Sequence, residues 1–211
     1  MPAAAMALLA INLPGYILAG GSIKPGSLDG KDIDIVNSFI AAGQVAKGEI
    51  TDAQRRRIQE NACPGFGACG GMYTANSMFT SLEAMGLSPL YSSSTLADDK
   101  DDECYHAHEI LEDMVSKNRR PSDFVTKASF ENAARIVSVL GGSTNPILHL
   151  MAMARAGGID FTERDFERIS KETPFIGNLM PSGKYRMKDL SEAGGTPAVL
   201  RYMLENRHLD G

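Results

Sequence analysis

Apolar residues recur at helical spacing along most of the chain, and short polar or glycine-rich turns separate the segments that carry this pattern. We therefore predict that helices dominate the structure. The predicted helices cover residues 3–11, 33–46, 51–62, 75–85, 98–117, 130–140, 146–157, 161–172 and 196–205. Segment 130–140 is also compatible with a helix that runs into a strand.

Two short, continuous apolar runs interrupt the helical pattern and predict buried strands, at residues 15–19 and 174–178. Strands that are apolar on both faces and joined through helices are typical of a parallel sheet that helices cover on both sides. The predicted fold class is therefore α/β and helix-rich, with a largely parallel sheet flanked by helices.

Local signals indicate where several of these helices begin and which of them are buried. Thr51 and Thr74 are suitable N-caps, and Asn145 caps a helix that has Pro146 at its first position. The helix that follows Pro146 is apolar nearly all round, which predicts a central, buried position. Cys104 shares one helical face with several apolar residues, so we expect it in the core. The apolar residues of that face are Ala107, Ile110, Leu111, Met114 and Val115.

Composition and charge narrow the classes of partner. The 211 residues suit one large domain or two small ones and carry a net charge of −5, with acidic and basic residues interspersed. No basic face or long apolar tract stands out, so we expect neither nucleic acid nor a membrane as a partner. The odd number of cysteines, three, argues against a disulfide framework and favours a reducing compartment.

The loop at residues 63–73 carries the strongest chemical signal. Its Cys69 has glycines close on both sides, so nothing bulky shields the thiol, and a helix start follows near Thr74. The positive end of that helix is expected to lower the thiol pKa, which favours a metal ligand or a reactive thiol. A small apolar residue in a tight turn is an equal alternative. Cys63 lies six residues earlier, a spacing that matches neither a zinc ribbon nor a ferredoxin.

The turn at residues 141–145, Gly-Gly-Ser-Thr-Asn, is a second candidate site. Two hydroxyl residues before a helix N-terminus, Ser143 and Thr144, are placed to bind an anion such as a substrate carboxylate. A helix cap after a tight turn explains the same residues without a ligand, and this is the favoured interpretation. Near residue 183 a phosphate-loop pattern fails, because Asn178 and Tyr185 replace residues that it needs.

The run CPGFGACGGMYTANSM at residues 63–78 resembles a cysteine motif of the dihydroxy-acid/6-phosphogluconate dehydratase family. The resemblance covers essentially the whole chain, because further short runs follow in that family's order. These runs lie at residues 92–94, 130–133, 141–145, 148–150, 181–185 and 192–195. Among the three cluster cysteines of that family, only the one before Gly-Gly-Met-Tyr has a counterpart here. It maps to Cys69, whereas Cys63 and Cys104 match neither of the other two motifs.

The resemblance implies a hydro-lyase that converts a small 2,3-dihydroxy acid to a 2-oxo acid, as in branched-chain amino-acid biosynthesis. It further implies an iron–sulfur cluster, [2Fe–2S] or [4Fe–4S], Mg²⁺, and a homodimer located in the cytoplasm, or in mitochondria or plastids of a eukaryote. A sugar-acid or 6-phosphogluconate dehydratase is the alternative within the family. A non-catalytic metal-binding module, or a folded remnant without a ligand, is the alternative outside enzymes.

Several parts of that family's machinery have no counterpart in this sequence. They are two cluster cysteines, a magnesium-binding aspartate, a carbamylated lysine, and the C-terminal β-barrel-like domain with its serine base. We therefore expect residues 1–211 to be an internal piece of the N-terminal cluster-binding domain that is inactive alone. On this interpretation Met1 is an internal methionine and Gly211 lies near a domain boundary.

Overall fold

The computed structural model of the chain describes residues 1–210, so the expected boundary at Gly211 lies outside the described residues. Within this range the chain forms ten α-helices and one small hairpin. The helices are α1 (Pro2–Ile11), α2 (Ile35–Ala46), α3 (Asp52–Ala62), α4 (Thr74–Ala84), α5 (Asp101–Ser116), α6 (Lys127–Val139), α7 (Asn145–Ala156), α8 (Glu163–Glu172), α9 (Met187–Glu192) and α10 (Gly195–Glu205). The prediction of a helix-rich chain is confirmed.

The largely parallel sheet is not found in the described part of the chain. The two strands, β1 (Gly26–Leu28) and β2 (Lys31–Ile33), form an antiparallel hairpin. Parallel pairing elsewhere is confined to isolated bridges, including those from Ser22 to Ala68 and to Leu96. A parallel ladder needs several successive amide–carbonyl pairs between neighbouring strands, and these segments provide only one or two.

The two predicted strands are extended segments whose amides bond to turns and helix ends. In segment 15–19, the Ile17 amide donates to the Leu87 carbonyl (2.8 Å) and the Ala19 amide donates to Ser92 Oγ (3.0 Å). In segment 174–178, the amides of residues 176 and 177 both donate to the Val139 carbonyl. Since these amides bond to a helix end or a side chain and not to a partner strand, an apolar run alone did not identify a strand here.

Most predicted helices are present, with corrections at their ends. Segment 130–140 lies in α6, which is helical to Val139, and the short helix α9 was not predicted. Thr51 caps α3 as expected, because its hydroxyl accepts from the Gln54 amide (3.3 Å). Thr74, by contrast, is the first residue of α4 and makes no cap bond. The cap position of α7 is Thr144 rather than Asn145.

Two apolar clusters form the core, and α6 contributes to both. The first cluster lies between α1, α4, α6, α7 and α8. The second lies between α6, α9 and α10 and includes residues from the irregular segments between the helices. The largest fully buried side chains are Phe130, Met72, Met78, Leu82, Leu87, Ile136, Leu140, Leu150, Met153, Ile169, Met187 and Met203. Each buried side chain of this size stabilises the fold by about 1.5–3 kcal/mol.

Two helices are more exposed than their patterns predicted. In α7, Leu150 and Met153 are buried but Leu148 is 66% exposed, so the helix packs through one side only. In α5, Met114 is the buried residue. Cys104 is exposed, so the prediction that it lies in the core is wrong. The reason is that no other described element covers most of the apolar face of α5. No helix within residues 1–210 has the length and apolar character needed to cross a membrane.

Candidate functional site

Cys69 lies in the loop between α3 and α4, and backbone bonds from three distant segments hold this loop. The Ala68 carbonyl accepts from the Ile23 amide (2.7 Å), and the Gly70 carbonyl accepts from the Met187 amide (2.8 Å). The Met72 amide donates to the carbonyl of residue 180 (2.7 Å). The predicted loop at 63–73 is therefore confirmed as irregular, yet its backbone is fixed on either side of the cysteine.

The side chain of Asn76, in the first turn of α4, also binds this loop. Its Nδ2 donates to the carbonyls of Cys69 (2.7 Å) and Gly71 (2.6 Å), and its Oδ1 accepts from Ser22 Oγ (2.8 Å). Asn76 is fully buried. Sequence reasoning missed this residue, although an asparagine just after a glycine-rich loop has the donors that loop carbonyls require.

Two glycines of the loop occupy places that no other residue fits. Gly67 has φ +122°, and a Cβ there would lie 2.8 Å from the Ala97 side chain. A Cβ at Gly71 would lie 2.5 Å from the Tyr73 ring and 3.0 Å from the carbonyl of residue 180. The glycine content of the motif therefore follows from close packing around Cys69 as well as from turn geometry.

The Cys69 thiol is half-buried, and burial raises its pKa. A hydrogen bond from the Cys69 backbone N–H lowers this pKa, whereas Cys63 and Asp34 raise it further. The expectation that the start of α4 lowers the thiol pKa is therefore wrong, because removal of the thiolate from water outweighs the nearby donor. A cation bound at the sulfur would supply the missing positive charge, and its binding would release the thiol proton.

A buried ion pair and a tyrosine hydroxyl lie near the thiol. Arg186 Nε donates to Asp34 Oδ2 (2.9 Å), and both side chains are largely buried. Burial, followed by Asp34 and Cys69, raises the pKa of Tyr73. Its hydroxyl is buried and has no hydrogen-bond partner among residues 1–210. The surroundings of Cys69 thus combine a thiol, a paired arginine and an unsatisfied donor, and the last two were not predicted from sequence.

The second candidate, the turn at 141–145, docks on the first turns of α4. The Ser143 amide donates to Ser77 Oγ (2.9 Å), and Ser143 Oγ lies 3.3 Å from Thr74 Oγ1. Asn145 Nδ2 donates to the same Thr74 oxygen (2.6 Å). Thr144 is exposed and makes no cap bond. Ser143 therefore lies beside the helix that begins just after the Cys69 loop, and the role of both residues in binding an anion stays a prediction.

The residues present fit one ligand position of an iron–sulfur cluster. Cys69 is a soft ligand in a glycine-lined loop, and the unsatisfied Tyr73 hydroxyl nearby is a donor of the kind that surrounds cluster sulfurs. Cys63 is exposed in the same loop, and Cys104 is exposed on α5. Among the described residues, no group of three or more His, Cys, Asp or Glu side chains is placed to hold a metal ion. A cluster bound at Cys69 would therefore need further ligands from beyond the described residues.

Comparison with known proteins identifies the family of the chain. The sequence model described as "Dihydroxy-acid/6-phosphogluconate dehydratase N-terminal" matches residues 1–211. The chain belongs to this family. It is similar over its whole length to the chloroplastic dihydroxy-acid dehydratase of Arabidopsis thaliana, at 48% identity. It is also similar to the mitochondrial dihydroxy-acid dehydratase ilvC of Aspergillus fumigatus (48%) and to the dihydroxy-acid dehydratase of Prochlorococcus marinus (46%).

The chain spans about a third of the length of these relatives, since the matches cover 35%, 36% and 38% of them. The remaining two thirds or so of each relative lie outside the compared region.

Proposed function

We propose that the chain is the cluster-binding N-terminal part of a hydro-lyase that converts a small 2,3-dihydroxy acid to a 2-oxo acid, as in branched-chain amino-acid biosynthesis. The observation that carries the proposal is the fixed, glycine-lined Cys69 loop in a chain that matches dihydroxy-acid dehydratases from end to end. A reducing compartment suits a free, half-buried thiol. The whole protein acts as a homodimer in the cytoplasm, or in an organelle as the chloroplastic and mitochondrial relatives do by name.

The reaction requires loss of a hydroxide, which is a poor leaving group. An iron–sulfur cluster with an open coordination position supplies a Lewis acid for that group when it is bound. Cys69 holds one iron of the cluster, [2Fe–2S] or [4Fe–4S], as a thiolate. Because burial raises the Cys69 pKa, the thiol gives up its proton as the metal binds, and binding strengthens as the pH rises. Cys63 and Cys104 are not ligands, and Mg²⁺ is held by other parts of the whole protein.

Ser143 and Thr144 border the substrate pocket in this proposal. Three observations support it: the Ser143 turn is bonded to Thr74, Thr74 follows the Cys69 loop directly, and the Thr144 side chain is exposed. The start of α7 is then placed to bind the carboxylate of the acid while a hydroxyl group of the same acid faces the cluster. These residues bind and orient the acid, and proton removal belongs to a base outside residues 1–211.

The experiment compares Cys69→Ser with Cys104→Ser in a protein of the relatives' full length that contains residues 1–211. Serine stays protonated and binds iron weakly, so Cys69→Ser is expected to abolish both the visible absorption of the reconstituted cluster and the turnover of 2,3-dihydroxyisovalerate. Cys104→Ser should keep both. The reverse pattern would show that the ligand is misassigned, and turnover of 6-phosphogluconate instead would establish the alternative substrate class. The 211-residue chain alone is expected to give no turnover.

A further inference from the structure

We propose that Asn76 is the positioning residue of the Cys69 loop, which sets the direction of the thiol before any metal is bound. The inference deepens the proposed function, and its importance for the cluster rests on that function. The positioning itself can be tested on the thiol without metal. No sequence motif or comparison above assigns a role to Asn76.

The Asn76 side chain binds the backbone at Cys69 and again two residues beyond it. One amide nitrogen donates to the Cys69 carbonyl at 2.7 Å and to the Gly71 carbonyl at 2.6 Å. The Cys69 carbonyl is attached to the same Cα as the thiol-bearing Cβ, so a fixed carbonyl restricts the directions in which the sulfur can point. The two bonds also span Gly70, whose lack of a side chain would otherwise leave this stretch free to rotate.

The orientation of the amide is set from its other end. Ser22 Oγ donates to Asn76 Oδ1 at 2.8 Å, and Ser22 is 1% exposed. A flipped amide would place N–H groups against this hydroxyl and an oxygen against two carbonyls. Ser22 belongs to a segment that pairs with Ala68. In this pairing the Ile23 amide donates to the Ala68 carbonyl, and the Ala68 amide donates to the Gly21 carbonyl. Asn76 therefore joins the Ser22 segment to the backbone of the Cys69 loop.

Only an amide satisfies all three partners at this position. A carboxyl group has the same shape, but it accepts only when ionised and donates a single hydrogen bond when protonated, so an aspartate cannot donate to both the Cys69 and Gly71 carbonyls. Asn76 is 0% exposed, and water cannot replace the missing donors. Asn76→Asp thus removes the function of the side chain with almost no change in volume.

The test measures how fast each cysteine of the 211-residue chain reacts with iodoacetamide under native conditions, by mass spectrometry of its peptides. Exposed Cys104, on α5, is the internal reference. In the unsubstituted chain, half-buried Cys69 should react more slowly than Cys104. In Asn76→Asp the loop opens locally, and the ratio of the Cys69 rate to the Cys104 rate should rise on the order of tenfold.

The matched control is Thr80→Val, one turn further along the same helix. Thr80 is also 0% exposed, but its hydroxyl donates to the Ser77 carbonyl within α4. It should destabilise the chain in thermal unfolding and leave the ratio of rates unchanged. An equal rise in this control would overturn the proposal, because general loosening of α4 would then explain the result.

Ser22→Ala provides a milder second variant, which keeps the inference testable if Asn76→Asp fails to fold. It removes the bond that orients the amide and should raise the ratio about two- to threefold. An unchanged ratio in folded Ser22→Ala and Asn76→Asp overturns the positioning role. Failure of the proposed function is distinguishable: Cys69→Ser would then keep the cluster in the longer protein, whatever Asn76→Asp does to the thiol.

Discussion

Helices α4 and α5 have comparable amphipathic patterns and opposite surroundings. Eight of the eleven residues of α4 are buried, including several polar ones, whereas Met114 is the buried residue among the sixteen of α5. Helix α4 packs on α6 and α7 and has both apolar clusters beside it, but α5 has no such neighbours in the described part of the chain. An apolar face shows what a helix is able to bury, and only its neighbours decide whether it does so.

Polar residues make the contrast sharper. In α4, Asn76, Ser77 and Glu83 are buried, and each has hydrogen-bond partners outside its own helix. In α5, apolar Ile110, Leu111 and Val115 are 40%, 42% and 58% exposed. The Cys69 loop lies against the first type of helix, where long-range bonds hold the backbone in place. The following predictions test this difference.

The largest effect is expected from one leucine truncation in each helix. Leu82 in α4 is 1% exposed, so Leu82→Ala leaves a cavity and should lower the free energy of unfolding by about 2–5 kcal/mol. Leu111→Ala in α5 should change it by no more than about 0.5 kcal/mol. Urea denaturation of both variants measures the difference. Equal losses would mean that α5 is covered in solution.

An intermediate effect is expected on the pH dependence of the free energy of unfolding when Glu83 in α4 or Glu109 in α5 is replaced by glutamine. The two replacements should act with opposite signs. Burial raises the pKa of Glu83, although its oxygens accept from the amides of Tyr91 and Ser93 (both 2.9 Å). The folded state therefore binds this proton more tightly, and the associated stability is lost as the pH rises through the folded pKa. Relative to the unsubstituted chain, Glu83→Gln should therefore gain stability between acidic and neutral pH.

The counterpart on α5 is Glu109→Gln. A hydrogen bond with His106 lowers the pKa of exposed Glu109, so its contribution to stability is lost as the pH falls through the folded pKa. The variant should therefore lose stability relative to the unsubstituted chain as the pH rises, by a small amount. Denaturation at several pH values measures both variants. The same sign for both would contradict the difference in burial between the two helices.

The smallest effect is expected at Cys104. Cys104 is exposed on α5, so Cys104→Ser should change the free energy of unfolding by less than about 0.5 kcal/mol. The sequence pattern had placed this residue in the core, where a hydroxyl would cost about 1–3 kcal/mol. Chemical denaturation separates the two values, and a loss in the higher range would restore the original prediction.

The cysteine loop and most helices were predictable from local features. Apolar periodicity identified α1 and α10 within one or two residues, and Thr51 marked the start of α3. The glycines around Cys69 singled out this thiol among three, and family membership is now established for the whole chain. Such features are readable because helix periodicity, caps and turns depend on residues within a few positions of one another.

Tertiary structure alone decided the sheet, the burial of α5 and the surroundings of the thiol. The apolar runs at 15–19 and 174–178 found carbonyl and hydroxyl partners instead of neighbouring strands. The pKa of Cys69 is raised because packing removes the sulfur from water, an effect that no neighbour in sequence reveals. Asn76 binds Ser22 across 54 positions of the chain. Local sequence thus determined which elements form and which thiol is distinctive, while burial and long-range hydrogen bonds depended on residues that only the fold brings together.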